Sequence, residues 1–282
     1  MVAQVGRETG AVVAALVCGA GLLTAGCSAG GASADGLPGT GSPAAERVVR
    51  GSADALLRAG GARVTSTMET VSGGTRVAIR GSGEYDFRRG TGRLRLTLPD
   101  AAGEGHGPRP PVTEILVPGA LYMKNRGAGV PADKWVRIDA TGLADGNLVT
   151  GGATDPLAAA ELLRGAREVT YRGEARVDGV AVRHYSGTAD LAAAAGAASA
   201  RTRPVLTAAE KGFTTRRVPF DVYLDGAGRL RRVSQHYRFA NGSRRGAAVT
   251  STTELDHFGR RPEVALPPRE AIYTGRIAAT GA

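Results

Sequence analysis

The chain has 282 residues, among them 42 Gly but only 5 Phe and 1 Trp, and carries a formal net charge of +10 from 36 Lys and Arg against 26 Asp and Glu. Only Lys124, Lys134 and Lys211 are lysines, an arginine preference that together with abundant Ala and Gly looks like the coding bias of a GC-rich genome, so the charge by itself names no partner. Nucleic acid is set aside because no basic helix or aromatic stacking motif accompanies the charge; attraction to an anionic membrane surface, at about 1 kcal/mol per basic residue near the headgroups, is the better reading.

Arg7 is the only cation before the apolar run from Ala11 to Leu23, which ends in Leu23-Thr24-Ala25-Gly26-Cys27. The run is short for a bilayer span and small residues follow it at once, which predicts a cleaved signal peptide over residues 1–26. Leu23, Ala25 and Gly26 before Cys27 form a lipobox: the small residues admit the backbone to a peptidase, and the Cys27 thiol accepts a diacylglycerol whose two chains anchor stably at about 0.8 kcal/mol per buried CH₂. The expected address is the extracytoplasmic face of the cell membrane, with Cys27 as the lipid anchor. Cys18 leaves with the signal, so neither a disulfide nor a cysteine metal site is expected.

Residues 27–42 are Gly, Ala, Ser and Pro with almost nothing apolar and read as a flexible tether. A single domain is expected over 43–275. It opens with one amphipathic helix from Ser42-Pro43 to Gly60-Gly61, capped by Ser and started by Pro. Strand alternation follows at Arg63 to Glu69 and, after Ser72-Gly73-Gly74, at Val77 to Arg88, where Gly81 and Gly83 suggest a bend or bulge. Arg89-Gly90 turns the chain into Arg93 to Leu98, completing a three-strand meander. After the Gly and Pro loop His106 to Pro111, a hairpin is expected at Thr113–Val117 and Leu121–Lys124, then a strand at Trp135–Asp139 and a helix from Asp155-Pro156 to Gly165. Strands Val169–Val177, Val180–Thr188, Phe220–Leu224, Leu230–Phe239 and Ala247–Phe258 are separated by turns at Asp178-Gly179, Asp225-Gly226 and Asn241-Gly242, dipeptides that tolerate positive φ. The Ala-rich stretch Ala189 to Lys211 reads as a helical or loose excursion across the sheet. About ten strands, nearly all antiparallel, are expected.

Catalysis has no visible foothold. His106, His184, His236 and His257 are scattered without metal-ligand spacing, no GxSxG elbow is present, and Glu84 with Asp86, or Asp221, Tyr223 and Asp225, read as solvated strand faces. No enzyme activity, metal or cofactor is expected. What remains is a long sheet with one apolar face and two clear helices to cover it. Either helices and loops pack that face shut, or the sheet curls into a half-barrel whose concave side holds an apolar ligand.

The lipobox at Cys27, the helix-then-meander opening, Tyr122-Met123-Lys124 followed by Lys134-Trp135-Val136-Arg137-Ile138, Asp155-Pro156-Leu157 with Leu162-Leu163, and the run Val218-Pro219-Phe220-Asp221-Val222-Tyr223-Leu224-Asp225-Gly226-Ala227-Gly228-Arg229-Leu230 together resemble the LppX/LprG family of actinobacterial lipoproteins, whose fold is similar to that of LolA and LolB. The resemblance spans most of residues 45 to 260. It implies an α+β fold: a large curved antiparallel β-sheet, a LolA-like half-barrel, with a few helices covering the concave face and a hydrophobic cavity that carries acyl lipids or glycolipids. The expected cavity lining is Val64, Met68, Val77, Ile79, Tyr85, Phe87, Leu94, Leu96, Leu98, Ile115 and Val117. The partners implied are the membrane through lipidated Cys27, an acyl lipid or glycolipid, and an envelope transporter, with no nucleic acid and a monomeric state. The competing reading is a non-carrier of the same fold, a sensor or scaffold for an envelope protein, with its cavity filled.

Overall fold

In the computed structural model the described residues are 41–99, 110–126, 129–143, 145–149, 154–239 and 247–275. The expected signal peptide, the lipobox with Cys27, the tether up to residue 40, most of the loop at His106 and the turn at Asn241-Gly242 lie outside them. Gly36–Ala282 forms a compact unit by itself.

Eleven strands make one antiparallel sheet: β1 (Gly61–Ser72), β2 (Thr75–Asp86), β3 (Thr91–Thr97), β4 (Val112–Val117), β5 (Ala120–Lys124), β6 (Trp135–Asp139), β7 (Ala166–Val177), β8 (Val180–Asp190), β9 (Arg217–Leu224), β10 (Leu230–Phe239) and β11 (Ala247–Asp256). Their spatial order is β6-β5-β4-β3-β2-β1-β11-β10-β9-β8-β7. Two meanders, β1–β6 and β7–β11, therefore join only where β1 pairs with β11, with Val64 opposite Leu255 and Met68 opposite Ser251. The sheet does not close, and other segments bond to the start of each edge strand. At β7, Ser42 N–H donates to the Val169 carbonyl at 2.9 Å and the Arg50 guanidinium reaches the Ala166 carbonyl. At β6, Tyr273 N–H donates to the Trp135 carbonyl at 2.8 Å. These contacts occupy part of each edge, where unpaired groups would otherwise be free to pair with another chain.

The five described helices are α1 (Pro43–Arg50), α2 (Ser52–Ala59), α3 (Pro156–Leu162), α4 (Leu191–Ala197) and α5 (Arg203–Gly212). The single opening helix expected from the sequence is two, because the chain changes course at Gly51: the Ser52 hydroxyl turns back to the Val49 carbonyl at 2.7 Å. Local chemistry starts α3 as expected, with Asp155 accepting from the N–H groups of Leu157 and Ala158 and Pro156 in the first turn. The Ala-rich stretch is the pair α4 and α5.

Along β11 the buried positions alternate strictly through Val249, Ser251, Thr253 and Leu255. Its inner face continues across Val64, Leu94 and Leu96 on one side and Val233, Val222 and Phe220 on the other, and all the helices contribute to the same core. Fully burying a large apolar side chain such as Phe87 contributes about 1.5–3 kcal/mol. Gly81 and Gly83 produce no bulge, since β1 and β2 stay in one register throughout. They give room instead: a Cβ on Gly81 would meet Leu96 at 2.7 Å, and one on Gly83 would meet the Arg93 carbonyl at 2.0 Å. At the Asp225-Gly226 turn the positive φ falls on Gly228, at 74°, rather than on Gly226. Asp225 then holds the loop by accepting from the N–H groups of Ala227 and Arg229.

Candidate functional site

The inner face of the β1–β6 meander carries most of the expected lining. Val64, Met68, Tyr85, Phe87, Leu94 and Leu96 are buried in the core, and Ile79 and Leu98 pack against it partly buried. Tyr85 and Phe87 meet with ring centroids 5.3 Å apart. Two groups of residues depart from the expectation. Val77 points to the inner side but lies near the β1–β2 turn, beyond the helices, and is 39% exposed. Ile115 and Val117 lie on the opposite face of the sheet, where Ile115 is nonetheless buried, because β4 is registered by its neighbours: Leu94 pairs with Glu114 and Leu96 with Val112, while Glu114 also pairs with Met123. The inner residues of β4 are therefore Val112, Glu114 and Leu116, and a glutamate lies where the sequence pattern suggested isoleucine.

The layer above mixes small residues with leucines such as Leu56, Leu157, Leu162, Leu191 and Leu206. Ala158, Ala159, Ala160, Ala194 and Ala195 are all buried between sheet and helices. Polar links fasten it. Gln235 on β10 donates to the Ala159 carbonyl at 2.9 Å and accepts from the Tyr237 hydroxyl at 2.7 Å, while the hydroxyls of Thr154 and Ser251 lie 2.7 Å apart. Glu161 on α3, fully buried, takes Arg164 at 3.1 Å and the N–H of Ser199 at 2.8 Å. Arg164 also reaches Asp54 on α2 at 2.6 Å. That hydrogen bond holds Asp54 below the usual carboxylate range.

Beside this layer, a cleft of about 580 Å³ lies between α5 and the segment after β6. Leu143, Pro204 and Ala208 give it apolar walls, and Arg203 and Lys211 are the cations that line it. Its size lies within the range of ligand pockets, about 300–1,000 Å³. Leu143 and Ala140 pack on the same core as Leu121 and Met123, so the cleft adjoins the inner face at its β5 and β6 end. No short motif marks it. It arises from a helix and a turn about sixty residues apart in the chain, and the sequence reading missed it. A second hollow, of about 470 Å³, is lined by Asp86, Arg88, Arg89, Arg260 and Arg261. Its charges are partly spoken for, with Arg260 on Glu84 at 2.6 Å and Arg89 on Asp86 at 3.8 Å.

Burial sets the unusual ionisations. It pushes the Glu114 carboxyl up to about 8, against the attraction of Arg126 and with added repulsion from Asp155. Burial also raises Asp155, although the Tyr85 hydroxyl and the first N–H groups of α3 bond to it. The outward face shows ordinary strand contacts. His184 Nε2 lies 2.7 Å from Asp221 Oδ1, and its ring stacks on Tyr223 at 4.4 Å.

Among solved structures, the chain is similar to the lipoprotein LppX of Mycobacterium tuberculosis, at 14% identity over 79% of this chain and 100% of that one, with a TM-score of 0.48. It is also similar to LprF of Mycobacterium bovis, at 16% identity over 81% and 99% with a TM-score of 0.45. A lipoprotein-sorting protein domain from Vibrio parahaemolyticus follows at 10% identity, over 78% of this chain and 95% of that one, with a TM-score of 0.33. No family model matches the chain, and no curated protein matches it. At such identities and TM-scores, function has to be argued from this chain's own geometry.

Proposed function

We propose that this protein is a membrane-anchored extracytoplasmic lipoprotein that binds an acyl lipid or glycolipid and carries it between surfaces. The observation that carries the reading is the cleft beside α5, which is apolar in its walls, cationic in Arg203 and Lys211, and joined through Leu143 and Ala140 to the apolar inner face. Acyl chains entering there displace α5 from the sheet and lie over β3 to β6, while the two cations hold an anionic or polar headgroup at the surface. Exchange between bilayer and protein interior conserves hydrophobic burial, at about 25 cal/mol per Å², so the chain leaves the membrane without crossing water. Cys27, once lipidated, keeps the domain at its membrane, with residues 28–42 as the leash.

The test is native mass spectrometry with lipid extraction on residues 36–282, purified without detergent from a host related to the source. The expected result is copurifying acyl lipid that is lost when Ile79, partly buried on the inner face, is replaced by Trp. A stable protein that arrives empty and takes up no lipid from vesicles contradicts the proposal.

A further inference from the structure

Glu114 is 0% exposed, and neither of its carboxyl oxygens has a hydrogen-bond partner. Its neighbours across the sheet are Leu94 on β3 and Met123 on β5, so its own row offers it nothing polar. Arg126, two residues beyond the end of β5, attracts it but forms no ion pair with it, and Nη1 of Arg126 is likewise buried without a partner. Asp155, at the start of α3, acts on Glu114 as a like charge and is itself engaged by Tyr85, by the N–H groups of Leu157 and Ala158, and by the field of Arg201. A buried polar group left unpaired carries its whole desolvation penalty, and natural interiors seldom keep one without a use.

An unpaired acid on β4 and one unpaired guanidinium nitrogen just past β5 are thus both buried, close enough for the charge of Arg126 to act on Glu114. They lie on the side of the sheet that the cleft adjoins, since Met123 shares its core with Leu143 and Ala140. We infer that Glu114 and Arg126 form an internal anchor for an uncharged hydrogen-bonding group, a hydroxyl or an amide, carried within the ligand that the inner face accepts. The inference rests on the lipid-binding reading above and narrows it to amphiphiles that bring a donor into the interior. A protonated carboxyl both donates and accepts, as a hydroxyl does, so the two pair without burying a net charge. The adjacent guanidinium supplies a further donor to the same oxygen. Burial keeps the carboxyl in that form up to about pH 8.

The experiment compares two probes of equal chain length, 1-monopalmitoylglycerol, which brings hydroxyl donors, and methyl palmitate, which brings none. Binding to residues 36–282 is measured by calorimetry at pH 7 for the native chain, Glu114→Leu, Glu114→Gln and Arg126→Met. Glu114→Leu is expected to weaken monopalmitoylglycerol about tenfold, the worth of one buried hydrogen bond to such a group, while leaving methyl palmitate unchanged. Glu114→Gln, which keeps a donor and an acceptor, is expected to restore most of the loss, and Arg126→Met to reproduce part of it. Because leucine removes an unpaired buried polar group, its fold is retained, and circular dichroism of each variant verifies this. Equal affinity of native and Glu114→Leu protein for monopalmitoylglycerol, or a parallel loss of both probes, overturns the anchor and leaves lipid binding standing. Binding of neither probe by the native chain overturns both.

Discussion

Two glutamates, Glu114 on β4 and Glu161 on α3, are equally buried, and the molecule treats them in opposite ways. Glu161 sits among Arg164, Asp54 and Ser199, a network that ties α2, α3 and the approach to α5 into one layer. Glu114 sits among leucine, methionine and an unpaired guanidinium edge, and ties nothing. A buried acid that holds structure together has its partners in the fold. One without partners lowers stability, and such a group persists when its partner arrives from outside. The helix layer is thus built for cohesion, whereas the β4 region holds an acid that the fold leaves unpaired.

The largest effect that can break this contrast comes from Glu161. Replacing it by leucine leaves Arg164 with a weakened network and the Ser199 N–H without its acceptor, and is expected to cost about 3–5 kcal/mol in urea unfolding. Glu114→Leu is expected to move the other way, stabilising the chain by about 2–4 kcal/mol at pH 8. If both substitutions destabilise alike, the two acids play the same structural role and the contrast fails.

The pH dependence sharpens it. The Glu114 carboxyl keeps its proton in the folded chain up to about 8 but loses it near its ordinary value of 4.5 when unfolded. Between those values the folded state binds more protons, so this contribution is complete below about pH 4.5 and is lost as pH rises toward 8. Glu114→Gln is expected to flatten that slope in thermal melts taken across the window. A slope unchanged by the substitution means that Glu114 ionises normally in the fold.

Gln235 tests the cohesive side at smaller scale. Gln235→Leu deprives the Ala159 carbonyl and the Tyr237 hydroxyl of a partner at once, for an expected loss of about 1–3 kcal/mol and faster hydrogen exchange in α3. The smallest change in stability, within about 0.5 kcal/mol, is expected from Arg203→Ala with Lys211→Ala at the cleft. That double substitution should nevertheless slow lipid pick-up from anionic vesicles at low salt, and the difference should fade as salt rises. An undiminished rate would remove the cleft from the path.

The sequence carried much of the architecture because the signals were local. Asp178-Gly179 takes the two positive φ angles of a tight turn, 48° and 77°, β10 runs over the residues its alternation marks, and Asp155-Pro156 opens α3. Other features depend on what the chain meets in space. The break at Gly51 is slight, with φ −76° and ψ −7°, so helical spacing runs through it in the sequence. Val112 to Val117 has apolar residues on both faces, so its alternation can be read in either phase. Pairing with Leu94 and Met123 decided the phase, turning Glu114 to the helix side of the sheet and Ile115, still buried, to the other. The same non-local origin hid the cleft, whose walls come from α5 and the turn after β6.

Exchange of acyl lipid between the covered inner face and a membrane can be measured directly. The direct measurement is transfer of a fluorescent acyl lipid from donor to acceptor vesicles by residues 36–282. The expected result is acceleration in proportion to protein concentration, abolished by Ile79→Trp in a protein that still melts cooperatively. Transfer no faster than the spontaneous rate, with the native chain folded and in excess, would contradict it.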